Sequence, residues 1–388
     1  MKDFSFGALT AGFVAVLVGY TSSAVIVFEA ARAAGATPAQ TASWMWALGI
    51  GMGLTTIVLS LRYRMPVLTA WSTPGAALLI TSVSGVPMAE IIGAFVLTGL
   101  AIVMIGLSGA FDRLMKRLPV ALAAAMLAGV LLRFGLEAFG AMKTQFTLVF
   151  AMFIVYLLGR RAWPRFAVPA ALAVGAAIAG ASGLFGEFDW PTGLTRPVFV
   201  APEFSWTAAI GIALPLLVVT MASQNVPGVA TLQAHGYAPP VSPIIVTTGV
   251  ATAVLAPFGG YAFNLAAITA AICMGHEAHP DPARRYAAAV AAGALYLLVG
   301  LFGGAVAVVF AAFPRELVLA IAGLALLGTI GNGLAAALKD DATREAALIT
   351  FVMTASGVTL WSIGSAFWGL VAGLLALAVR SWRRRGGT

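Results

Sequence analysis

Charged side chains are scarce in this sequence: Asp, Glu, Lys and Arg make up 9% of its 388 residues, where an ordinary soluble domain carries roughly 25%. There is one cysteine, Cys273, which excludes an intramolecular disulfide framework. Histidine occurs three times and never with zinc-ligand spacing, so no metal centre is expected. Nucleophile-elbow and phosphate-loop patterns are missing as well, so neither an enzyme nor a resident cofactor is expected. What fills the chain is apolar: 61% of residues are hydrophobic, in stretches of about 16 to 25 residues with short polar breaks. That pattern leaves no room for a soluble domain and defines an all-α polytopic membrane protein whose partner is the lipid bilayer. The first run, Phe6 to Glu29, is longer than a signal-peptide core and reads as a retained span.

Hydropathy places spans near 6–30, 43–61, 68–83, 88–110, 119–139, 145–159 and 166–186, and a second set near 205–225, 243–257, 260–275, 286–313, 315–337, 345–360 and 362–381. The net charge of +8 is a topology signal. With both termini cytoplasmic, seventeen of the 22 basic residues fall on the inner side, from Lys2, Arg62 and Arg64 through Arg383, Arg384 and Arg385. Only Arg32, Lys143, Arg196 and Arg315 fall in outer loops, and Arg133 lies inside the fifth span. Removing either short span, the third or the tenth, would invert every later loop and destroy the bias. Nucleic-acid binding is therefore not expected. An odd number of spans per half means that the second half enters from the opposite face, which is the inverted-repeat architecture of many secondary transporters.

The third and tenth spans are about 16 residues each, short for roughly 30 Å of hydrocarbon. "MPVLTAWSTPGAALL" from Met65 sets against "APFGGYAFNLAAITA" from Ala256, matching Pro66 with Pro257 and Thr73 with Asn264. An extended stretch covers about 3.3 Å per residue and makes up the length. Leu68 to Ser72 is expected extended, with Thr73 as N-cap, Pro74 opening a helix to about Val83 and Gly75 allowing close approach. In the second half, Tyr261 to Phe263 is expected extended and Asn264 to cap a helix towards Gly275. Two helix N-termini near the bilayer midplane would offer unpaired N–H groups and positive dipole ends to one small anion. A plain proline kink is the bland alternative for either span alone.

Polar residues elsewhere in the spans are mostly amides and hydroxyls. "TMASQNVPG" (220–228) ends the eighth span, and Gln224 and Asn225 offer amide hydrogens to a carboxylate or serve as interhelical glue. Tyr20 and Thr21 in "GYTSS" can wall the same pocket, although a threonine hydroxyl commonly returns to its own helix backbone. Glu29 is the candidate for proton coupling, and Arg133 with Glu137 reads as an i,i+4 ion pair. His276, Glu277, His279 and Asp281 share an inner loop with prolines and arginines, where solvated polarity is the expected role. An anion channel or uncoupled exchanger stays open beside a carrier.

The stretches "GYTSSAVIVFEAARAAGAT" (19–37), "AWSTPGAALL" (70–79), "FSWTAAIGIALPLLVVTMASQNVPG" (204–228) and "PFGGYAFNLAAITAAICMG" (257–275) resemble the BenE family of benzoate transporters over essentially the whole chain. The resemblance implies benzoate:proton symport on the seven-plus-seven inverted-repeat fold of the uracil and solute carrier 26 anion transporters, with a homodimer as in relatives. It implies a substrate-carrying core in 1–110 and 201–313, and a gate in 111–200 and 314–388. Together with the helix starts and span amides above, this reading puts the carboxylate between Thr73–Gly75 and Asn264–Ala266, beside Ser72 and Leu265, assisted by Gln224 or Asn225, with Phe263 and Tyr20 against the ring. The uracil relatives carry substrate-site glutamates where this chain has Gln224 and Phe263. An amide and a ring suit an aromatic carboxylate better than a nucleobase. A nucleobase or sulfate carrier remains an alternative on the same fold.

Overall fold

The computed structural model describes residues 4–109, 111, 120–186, 193–276, 278–358, 360 and 365–385. The first half comprises α1 (Phe6–Ala33), α2 (Pro38–Tyr63), the short strand β1 (Thr69–Trp71), α3 (Thr73–Ser82), α4 (Met88–Leu107), α5 (Val120–Gly140), α6 (Phe146–Ala162) and α7 (Ala167–Ala181). The second half begins with α8 (Trp206–Gln233). It continues through α9 (Val241–Leu255), β2 (Phe263–Leu265), α10 (Ile268–Met274), α11 (Tyr286–Leu301), α12 (Gly303–Ala311), α13 (Arg315–Ala337), α14 (Arg344–Ala355) and α15 (Ser365–Arg385). Among the described residues seven helices are long and apolar enough to cross a bilayer alone, and α1, bent by 40° near Thr21, makes an eighth. Large apolar side chains such as Leu107, Leu136, Leu158 and Val254 stand exposed, as a lipid-facing surface requires.

Local chemistry sets the ends of these elements. Thr37 and Gln40 form a reciprocal capping box at the start of α2, with Pro38 at the first helical position. Two expectations change. The apolar run 286–313 is not one helix but breaks at Phe302 into α11 and α12. The eighth span does not end at residue 225. It runs on through two π-helical turns, Ala209–Ala213 and Met221–Asn225, each preceding a proline that could not donate to an ordinary helical ladder.

The packing exchanges between the halves. α2 lies against α11 and α4 against α9; α1 touches α10 and α3 touches α8. Both major pairs approach through glycine. A Cβ on Gly49 would lie 2.5 Å from the Gly300 Cα, and one on Gly99 would lie 2.5 Å from the Ala253 nitrogen. Burying small residues at helix crossings maximises van der Waals contact where lipid supplies no hydrophobic drive between helices. A second body, α5 with α13 and α14, and α14 with α15, packs beside these pairs.

Gly49→Ala forces backbone against backbone, so its thermal midpoint in detergent is expected several degrees lower, an overpacking cost of about 1–3 kcal/mol. Gly328→Ala meets nothing within 4 Å and is expected to leave the midpoint unchanged or raise it, since alanine favours helix by up to about 1 kcal/mol.

Candidate functional site

The two short strands form one antiparallel pair, with Thr69 opposite Leu265, Ala70 opposite Asn264 and Trp71 opposite Phe263. Backbone bonds extend it at both ends, Ser72 N donating to Ala262 O (3.1 Å) and Ala266 N to Leu68 O (2.9 Å). Extended backbone away from water must find partners for its outward N–H groups as well. Side chains supply them: Thr69 N donates to Thr56 Oγ1 at 3.0 Å, Phe263 N to Thr252 Oγ1 at 3.0 Å and Leu265 N to Asn225 Oδ1 at 3.0 Å. Thr69 Oγ1 also lies 2.6 Å from Thr55 Oγ1 and 2.8 Å from Thr56 Oγ1, fastening β1 to α2.

The extended stretch expected before α3 is present, but its cap differs. Ser72, not Thr73, is the N-cap, its hydroxyl accepting from Gly75 N at 3.0 Å. Thr73 is the first helical residue, and Thr220 Oγ1 from α8 donates to Ser72 Oγ at 3.1 Å. Gly75 has Leu216 and Ser72 against its missing Cβ. In the second half the expectation moves by two residues. The strand is Phe263–Leu265 rather than 261–263, so Asn264 sits mid-strand and caps nothing, while α10 starts at Ile268 with no side-chain cap. The reason lies in Gly259, which turns the chain at φ +92°, and Ala262 at φ +41°, which keep the backbone folded until Phe263. The two half-helices leave opposite ends of the antiparallel strand pair, so their N-termini flank it rather than touching.

Side chains alternate across a strand, and opposed residues share a face. Ala70, Ser72 and Asn264 lie on one face; Trp71 and Phe263 lie on the other. Phe263 is fully buried against Gly51 on α2, so it is a packing wedge and not a ring partner beside Asn264. Asn264 is fully buried as well. Its Nδ2 donates to Ala262 O at 2.9 Å, and its Oδ1 has no partner among the described residues. Because a carbonyl oxygen holds the amide nitrogen, the free end of Asn264 is an acceptor.

The remaining expected residues divide. Tyr20 is buried with its ring edge-on to Trp71 at 4.9 Å, and its hydroxyl has no partner among the described residues. Thr21 donates to Leu17 O at 2.7 Å, returning its proton to its own helix backbone. Asn225 serves as glue, holding β2 through Leu265, whose Cβ lies where a Cβ on Gly228 would fall. Gln224 is half-buried in the π turn of the same helix. Glu29 is paired with Arg32 at 2.6 Å, away from the strand pair, and the Arg133–Glu137 pair forms as expected at 2.7 Å. His279 Nδ1 accepts from Asp281 N at 3.0 Å, Glu277 lies outside the described residues, and no three metal-ligating groups converge among the described residues. Sequence reasoning misses Trp71, Thr220, Thr56 and Thr252. Trp71 Nε1 donates to Ser23 Oγ at 3.1 Å. Their signal, a hydroxyl or indole in an apolar run, is shared by too many helix-internal threonines to single them out.

Among the described residues every buried polar side chain is a hydroxyl or an amide, with no carboxylate, histidine or basic group. The fold is that of solved anion carriers. SLC26A9 aligns with TM-score 0.65 and 14% identity over 98% of this chain and 66% of that one. The transmembrane domain of a cyanobacterium bicarbonate transporter, BicA, aligns with TM-score 0.58 and 14% identity over 95% and 97%. The chain thus shares the polytopic membrane fold of those proteins. The chain belongs to the benzoate membrane transport protein family, BenE, which matches residues 2–379. It is 53% identical over 365 residues to the inner membrane protein YdcO of Escherichia coli, covering 94% of this chain and 93% of that one. It is also 41% identical over 375 residues to the benzoate membrane transport protein of Acinetobacter baylyi, covering 97% and 95%. It is a transport protein and not an enzyme.

Thr252→Val keeps shape but strands the Phe263 N–H. It is expected to cost about 1–3 kcal/mol, seen as a lower unfolding midpoint in detergent. Thr247→Val, whose hydroxyl returns to Pro243 in its own helix, is expected to unfold like the parent.

Proposed function

We propose that this protein is a secondary active transporter that brings benzoate or a close aromatic carboxylate, with a proton, across a bacterial inner membrane by alternating access. Fourteen spans in two inverted sets of seven form it, both termini lying in the cytoplasm. A core of residues 1–110 and 201–313 moves against a gate of 111–200 and 314–388. The exchanged contacts of α2 with α11 and α4 with α9 support the inverted repeat.

The observation that carries the substrate site is the fully buried Asn264 with its free carbonyl oxygen, on the strand face it shares with Ser72. A carboxyl group there takes hydrogen bonds at the start of α3, the end with the positive dipole, and Gln224 is within the same helix turn as Asn225. The proton fits the same place. An acceptor-only amide oxygen repels a carboxylate and welcomes a carboxylic O–H, so the substrate's own carboxyl is the titratable group we favour as proton carrier. Glu29, held by Arg32, is the second choice. Binding the neutral acid imports one proton per benzoate and cancels the charge that an inside-negative potential would oppose.

Purified protein in liposomes is expected to take up labelled benzoate saturably, faster with an inwardly directed pH gradient, unaffected by uracil or sulfate, with Asn264→Ala abolishing the difference from protein-free liposomes. Benzamide, a neutral isostere bearing a donor and an acceptor, is expected to compete equally well from pH 6 to 8. Uptake that ignores the pH gradient would leave an uncoupled exchanger where it saturates and a channel where it does not. Uptake no faster than in empty liposomes would end the benzoate reading.

A further inference from the structure

Five basic residues escape the inner-side bias, and three of them, Arg32, Arg133 and Arg315, meet at one place. They line a cavity of about 170 Å³ between the C-terminal ends of α1 and α3 on one side and α5 and α13 on the other. On the proposed topology this is the outer end of the crevice between core and gate. Arg32 is held by Glu29 and Arg133 by Glu137. Arg315 makes no ion pair among the described residues, and the neighbouring carboxylate of Glu316 accepts from Thr144 instead, at 3.0 Å.

Arg315 is poorly placed for stability. It is the first residue of α13, where the helix dipole disfavours a cation, and it stands on the face that basic residues otherwise avoid. A guanidinium kept there with no acidic partner presents its planar fork to an incoming carboxylate or phosphate, which it can hold bidentately. The rest of the lining selects between these. The ring of Phe134, nine-tenths buried, and aliphatic side chains from α3 and α13 form the wall. A cavity of about 150 Å³ is enough to hold benzene. The cavity therefore has room for one aromatic ring with its acid group, in a lining where three cations face two anions.

We propose that this outer cavity is a second binding site for the aromatic carboxylate, a capture site in which Arg315 holds the ionised acid and Phe134 meets the ring before the substrate passes to the strand pair. The inference rests on the aromatic-acid reading above. It also assigns the two sites different protonation states of one ligand: the arginine site takes the anion, and the amide site takes the neutral acid. Because core and gate both contribute to its lining, the capture site exists as one cavity only while the two stand in the present arrangement.

The test is equilibrium binding of labelled benzoate to purified protein at pH 7.5, with a detergent-only control, on the parent, Arg315→Gln, Arg315→Lys, Asn264→Ala and Gln224→Ala. Gel filtration verifies that each variant is folded, and Gln224→Ala stands in if Asn264→Ala is not. Two benzoates per chain are expected for the parent and one for Arg315→Gln, with Arg315→Lys weakening that site about tenfold. The midplane variants are expected to keep the Arg315 site, and raising the pH to 8.5 to spare it. In transport from outside, Arg315→Gln is expected to raise the half-saturation concentration about tenfold with the maximal rate unchanged. A single benzoate per chain, lost in the midplane variant and untouched in Arg315→Gln, would overturn the capture site and leave the transporter reading intact. No benzoate bound by the folded parent would overturn both.

Discussion

Everything in this molecule is arranged around a hydrogen-bonding obligation: two stretches of extended backbone lie in its interior, and each must satisfy its polar groups there. Pairing β1 with β2 settles one edge of each strand. The other edges fall to Thr56, Asn225 and Thr252, one oxygen for each of three outward amides. An unmet amide would cost several kcal/mol in hydrocarbon. This explains why α2, α8 and α9 carry polar residues at that level. Among the described residues, what is left over near the strand pair is the carbonyl oxygen of Asn264 and the hydroxyls of Tyr20 and Tyr261.

The same obligation accounts for the close helix packing. Threonine and asparagine reach an adjacent backbone only if the helix carrying them stands near, and the glycines of the α2–α11 and α4–α9 crossings allow that approach. The π turns of α8 have a related use. A π turn accommodates one additional residue and rotates the helix beyond it, which re-aims side chains along that helix. Thr220 immediately before the second turn meets Ser72, and Asn225 at its end meets Leu265, so one helix fastens both the cap of α3 and β2.

How much of this is legible in the sequence depends on whether the signal is local. Span shortness, the proline–glycine sequence after Trp71 and the basic-residue bias are local, and they lead to the half-helix of α3 and the family. The N-cap of α3 slips by one residue because Ser72 and Thr73 are both good caps and only the tertiary contact with Thr220 separates them. The second half slips by two because the delay is made by φ angles at Gly259 and Ala262, which a composition pattern does not record. Phe263 is expected at the ligand because aromatic character is visible in sequence and strand parity is not. Once Asn264 is known to be mid-strand, the alternation of side chains puts Phe263 on the opposite face.

The strand pair also sets a condition on how the protein is made. Its two strands come from opposite halves of the chain, so when β1 enters the membrane its partner has not been synthesised. At roughly 5–20 residues per second, β1 waits on the order of ten seconds or more with one edge open. Thr55 and Thr56, on the helix just before it, can hold the other edge during that interval. The open edge is an exposed template for another strand. The strand pair is therefore completed only once the second half of the chain has followed the first, and until Phe263–Leu265 arrives the half-made protein carries an open strand edge.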